Sequence, residues 1–122
     1  MIRKLIGVLV ILAIIGFGAF WLLSAPRTLA AADLPDHSPD VANGEYMFWA
    51  SGCASCHAAP GATGDDLLSL AGGQGIKSDF GDFIVPNISP DPATGIGGWT
   101  TLDLANAMKH GVAPDGTHLY PA

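Results

Sequence analysis

Apolar residues fall along this chain in one unbroken block and then in small scattered groups. Residues 5–23 carry no charge, and at ~1.5 Å per residue a helix of that length crosses roughly 28 Å, close to the hydrocarbon core of a bilayer. The block predicts one membrane-spanning helix within residues 1–24. Residues 25–40 follow as a linker, in which Pro26, Pro35 and Pro39 alternate with small and acidic residues that cannot build a core, so an extended, mobile segment is expected. Val41, Tyr46, Phe48 and Trp49 are spaced for a short helix over residues 41–51, with Asp40 or Asn43 as its cap and Gly52 as its stop. From residue 60 to 98 Gly, Pro, Asp, Ser and Asn dominate, which predicts loop with a short strand at Phe83-Ile84-Val85. Helical spacing returns at residues 101–110, where Thr100 or Thr101 can cap, Leu102, Leu104, Ala105 and Met108 share overlapping faces, and Gly111 ends the run.

Flanking charges give the apolar block a direction. Arg3 and Lys4 precede it, so the positive-inside rule leaves the N-terminus in the cytoplasm and exports the rest. A cleaved secretory signal is the competing reading, because Leu29-Ala30-Ala31-Ala32 offers small residues to a signal peptidase. The length of the block and Trp21 near its end, where indoles favour the membrane interface, point to an uncleaved anchor. Beyond Arg27 the chain holds two lysines against eleven acidic residues, a balance of −9. Such a surface excludes nucleic-acid binding, which needs a basic stripe, and suits either solubility or a basic patch on a protein partner.

About 80 residues, 41–122, remain for a folded domain, a size at which a core is marginal without a staple. The two cysteines of the sequence indicate what the staple is. Cys53-Ala54-Ser55-Cys56-His57 is the attachment signal for c-type haem. Two thiols three residues apart on one helical turn can add to the two vinyl groups along one porphyrin edge, and the adjacent imidazole of His57 then reaches the iron. A disulfide, a thioredoxin-like pair and half a zinc site use the same spacing. The chain has no βαβ pattern for the second and no fourth ligand at convincing spacing for the third. For the far side of the iron the candidates are Met108 and His118, while Met108 is also expected as core, Met47 sits too close to the attachment motif, and His37 and His110 are expected at the surface and at a helix end.

Several segments together resemble the bacterial membrane-bound cytochrome c subunits, dihaem or multihaem, that accompany periplasmic alcohol, aldehyde and sugar-acid dehydrogenases. They are Asn43-Gly44-Glu45-Tyr46, the attachment motif through Gly61, Leu70-Ala71-Gly72-Gly73, Val85-Pro86-Asn87-Ile88, Gly95-Ile96-Gly97-Gly98-Trp99 and His110-Gly111-Val112. His118-Leu119-Tyr120-Pro121-Ala122 continues the match. The resemblance implies a mostly α, class I cytochrome c-like haem domain with long loops behind one transmembrane helix. It also implies one covalent haem c, held by Cys53, Cys56 and His57, with the loops at Asn87 and Trp99 closing over its edge and the Trp99 indole directed to a propionate. Family members continue past the Tyr-Pro-Ala segment with a distal methionine and a further helix, so the C-terminal part of the domain is expected to be missing here.

The function implied is electron transfer rather than catalysis: an inner-membrane, single-pass protein with its haem domain in the periplasm, relaying electrons from a dehydrogenase to quinone or a terminal oxidase. The alternative is a haem-based sensor of small ligands, or a peroxidase, with an open sixth position on the iron.

Overall fold

The computed structural model describes residues 2–120. Pro121 and Ala122, the end of the family-like segment, lie outside them. Helix α1, Ile2–Ser24, is long and apolar enough to cross a membrane, a test that a signal sequence also passes. Its apolar side chains face outward, as a lipid-facing helix requires.

Helix α2, Val41–Ala50, starts as its sequence predicts: the Asp40 carboxylate accepts from Asn43 N at 2.9 Å. At Gly52 the backbone turns left-handed, φ 68°, a conformation that needs no strain without a Cβ, and α3, Cys53–His57, begins at once. A 3₁₀ turn, Gly64–Ser69, follows. The expected loop also contains a hairpin. Strands β1, Gly75–Ser78, and β2, Gly81–Ile84, pair antiparallel with Ile76 opposite Phe83 and Lys77 opposite Asp82. The strand expected around Phe83 is therefore β2, and β1 is its unforeseen partner. Phe83 stacks on Tyr120 with ring centroids 3.8 Å apart, which ties the hairpin to the far end of the domain.

Helix α4, Thr101–His110, carries the sharpest terminal signals. Thr100 Oγ1 accepts from Asp103 N at 3.2 Å and Asp103 Oδ2 accepts from Thr100 N at 2.8 Å, a reciprocal cap; Gly111 closes the other end. The linker departs from the fully extended segment anticipated. Ala31–Asp33 forms a 3₁₀ turn, and Leu29 is hydrogen-bonded to Asn106 of α4.

The core is thin. Ala54, Ala58, Val85 and Val112 are buried, and no large side chain among the described residues is fully so. Tyr46, Met47, Trp49, Leu68, Ile84 and Met108 stay exposed. Met108, expected as core, is 76% exposed: helical spacing identified an apolar face, and within the described residues no element covers it.

Candidate haem site

The site is built on α3. Ala54 of α3 and Ala58, the residue that caps its C-terminal end, are buried, and their small side chains let the helix sit close to the rest of the domain. The motif residues are left toward the outside: Cys53 half-buried, Cys56 exposed and His57 half-buried. Both thiols are free. Among the described residues no three His, Cys, Asp or Glu side chains converge.

His57 is anchored from two directions. Its backbone carbonyl accepts from Gly72 N at 2.8 Å, and its ring Nδ1 lies 2.9 Å from Pro86 O. A carbonyl only accepts, so Nδ1 carries the hydrogen in this bond, and Nε2 is the nitrogen left for another partner. Gly72, with φ 66°, sits directly beneath Pro86: a Cβ there would meet Val85 O at 2.5 Å and the Pro86 carbonyl at 2.6 Å. The Pro86 carbonyl is held in place from the other side by the hairpin, since Gly73 N donates to Val85 O and Val85 N donates to Gln74 O, both at 2.8 Å.

No family model matches the chain. It is 46% identical, over 98% of its length, to a "Diheme cytochrome c-type" protein of Cereibacter sphaeroides. Over 86 residues, 70% of the chain, it is 40% identical to the fructose dehydrogenase cytochrome subunit of Gluconobacter japonicus. Over 98 residues, 78% of the chain, it is 38% identical to the gluconate 2-dehydrogenase cytochrome c subunit of Pantoea cypripedii. The chain belongs with the c-type cytochromes, and two of the relatives named above are subunits of dehydrogenases. It spans 40%, 17% and 21% of the length of those three relatives, respectively.

The residues of this cytochrome chain fit a covalently held haem on three structural grounds. Two free thiols and an imidazole are presented along one helical turn. The imidazole has its Nδ1 fixed by a backbone carbonyl, which leaves Nε2 for a metal, the arrangement that orients a metal-binding histidine. Exposed apolar side chains on α2, β2 and α4 offer surface to a large flat apolar body.

The other sequence candidates are distributed as follows. Asn87 follows Pro86 directly and uses its amide within the loop: Oδ1 accepts from Ser89 N at 2.8 Å and Nδ2 donates to Thr94 Oγ1 at 3.2 Å. Asp91 organises the same loop by accepting from Ala93 N and Thr94 N, and these backbone bonds, Thr94 first, hold its carboxyl below the ordinary range. Trp99 is half-buried at the far end of that loop, its backbone N–H donating to Ile96 O. His118 is exposed and pairs with Val112 in an isolated bridge. His110 sits at the end of α4 as expected, but its Nε2 is buried without a hydrogen-bond partner among the described residues. Sequence reasoning missed the role of Pro86 as the partner of His57, and that of Gly72 beneath it. The available signal was the Gly72-Gly73 pair, since adjacent glycines mark close backbone approach.

Proposed function

We propose that this chain is a membrane-anchored electron-transfer unit that carries haem c through Cys53 and Cys56, with His57 Nε2 as an axial ligand to the iron. The observation that carries this reading is the His57 Nδ1 bond to Pro86 O at 2.9 Å, which orients the imidazole immediately after two free thiols. When bound, haem supplies one-electron iron chemistry. The chain's residues do the rest: the thiols fix the porphyrin edge, Pro86 sets the ring plane and donor strength of His57, and the Asn87 loop and Trp99 border the haem edge. A buried propionate needs donors, and the Trp99 indole N–H is the one assigned to it.

On this reading α1 remains uncleaved in the inner membrane and the acidic domain lies in the periplasm. Two of the relatives named above are cytochrome subunits of dehydrogenases, which supports a dehydrogenase as electron donor; quinone or a terminal oxidase completes the proposed path. The −9 balance beyond Arg27 suits docking to a basic patch, with association that slows as salt rises.

The test is haem staining after denaturing electrophoresis of the exported protein. Wild type is expected to retain haem, whereas Cys56→Ser and His57→Ala are expected to yield no stable holoprotein. Normal levels of folded, haem-free His57→Ala protein would sink the assignment. Rapid carbon monoxide binding by the reduced full-length protein would favour ligand sensing over electron transfer.

A further inference from the structure

Proline, small and acidic residues make residues 25–40 a poor candidate for packing, yet one position in them is gripped. Leu29 N donates to Asn106 Oδ1 at 2.7 Å, and Asn106 Nδ2 donates back to Leu29 O at 3.3 Å, across 77 residues of sequence. A single side-chain amide thus satisfies both backbone groups of one linker residue, as a neighbouring strand would. Leu29 is half-buried, and Thr28 beside it lines a shallow cavity with Asp103, Asn106, Val112 and Pro114. The next residues close a tight turn in which Ala30 N donates to Asp33 Oδ2 at 2.7 Å. Asparagine is an indifferent choice inside a helix unless its amide has another task. Asn106 has one, on the side of α4 roughly opposite Leu104 and Met108.

We infer that Asn106 is a positioning residue that fastens the domain to its own stalk, so that the haem is carried at a limited height above the membrane instead of swinging on the whole linker. The inference rests on the reading of α1 as an uncleaved span. From Ser24 to Leu29 there are five residues, and from Ser24 to Asp40 sixteen. At about 3.4 Å per extended residue the reach falls from roughly 54 Å to roughly 17 Å. The clamp therefore restricts which redox partners the domain meets to those presenting their acceptor close to the membrane surface.

Arg27 supplies the test, because it is the one basic residue of the linker and stands two positions before Leu29. Trypsin needs several residues of open chain around its cleavage site, so cleavage after Arg27 requires the clamp to release. The experiment uses membranes carrying the holoprotein with the domain exposed, and follows haem appearing in the supernatant. Two lost hydrogen bonds predict release about tenfold faster in Asn106→Ala, with unchanged haem absorption and unchanged cleavage at Lys77 and Lys109. Leu29→Pro removes the N–H from the linker side and leaves the domain's own residues untouched; it should accelerate release similarly. Equal rates in wild type and both variants overturn the clamp. So does acceleration confined to Asn106→Ala and matched by faster cleavage inside the domain. Failure of the untreated protein to pellet with membranes is a separate result, and refutes the uncleaved anchor together with the clamp built on it.

Discussion

Replacing Gly72 by alanine tests whether the His57 imidazole depends on the backbone behind it. The new methyl would lie 2.5 Å from Val85 O and 2.6 Å from both C and O of Pro86, all backbone atoms that cannot swing aside. Alanine at a left-handed φ costs about 1–2 kcal/mol, overpacking against fixed atoms about 1–3 kcal/mol, and loss of the His57–Pro86 bond about 1 kcal/mol. The expected destabilisation is about 3–6 kcal/mol, a large fraction of the stability of a domain this small. At roughly 4–8 °C per kcal/mol the melting temperature should fall by more than ~12 °C. Gly116→Ala is the matched control: φ is 83° there, with nothing within 4 Å of the new Cβ, so only the backbone term applies. Thermal unfolding of the detergent-solubilised holoprotein by far-UV circular dichroism compares the two, and the haem absorption bands report on His57, the ligand proposed above. Melting of Gly72→Ala within a few degrees of Gly116→Ala, with an unaltered haem spectrum, would refute the dependence.

Thr100→Ala removes the hydroxyl that caps α4 and should lower stability by about 1 kcal/mol, seen as a melting shift of roughly 4–8 °C. The Asp103 carboxyl is held below its ordinary value by the Thr100 hydroxyl and then the Thr100 N–H, and Asp115 by the backbone N–H of Thr117. Depressed carboxylates stabilise the fold above their ordinary range and lose that contribution as pH falls through their folded values, so the domain should weaken on acidification. Asp103→Asn should flatten the acid limb of a plot of melting temperature against pH; an unchanged slope would remove Asp103 from the account. With α1 uncleaved, the protein should stay in the membrane pellet through a high-salt wash and leave only in detergent. Recovery in the salt wash, with a mature chain beginning near Ala31 or Ala32, would establish the cleaved signal instead.

The elements that could be read from sequence are those whose causes are local. The uncharged block became α1, Asp40 capped α2, and Thr100 and Gly111 bounded α4, because caps and breakers act within a turn or two. Strand β1 escaped notice because Gly75-Ile76-Lys77-Ser78 has a single apolar residue; its pairing comes from register with β2, not from its own pattern. The attachment motif proposed here is read from five consecutive residues. The carbonyl that orients His57 could not be read in this way, since Pro86 lies 29 residues on and reaches it only through the hairpin's return. The same holds for Leu29 and Asn106, where composition described an open linker and a distant amide decided otherwise. Met108 shows the converse limit: periodicity places a side chain on a face, but what covers that face is set elsewhere.

The hairpin has a consequence for how this kind of protein can vary. Its two ends are locked to each other by the Gly73, Gln74 and Val85 backbone bonds, and the register from Gly75 opposite Ile84 to Ser78 opposite Gly81 separates those bonds from the turn. At the turn, Asp79 and Phe80 are exposed, and Ser78 Oγ accepts from Phe80 N and donates to Gly81 O, so the bend closes on its own atoms. Residues added between Asp79 and Phe80 would lengthen the outer end while the ladder absorbs the change before it reaches Pro86. That makes the tip a place where relatives can differ in length without disturbing His57, and a practical position for a genetically encoded label that reports on the domain.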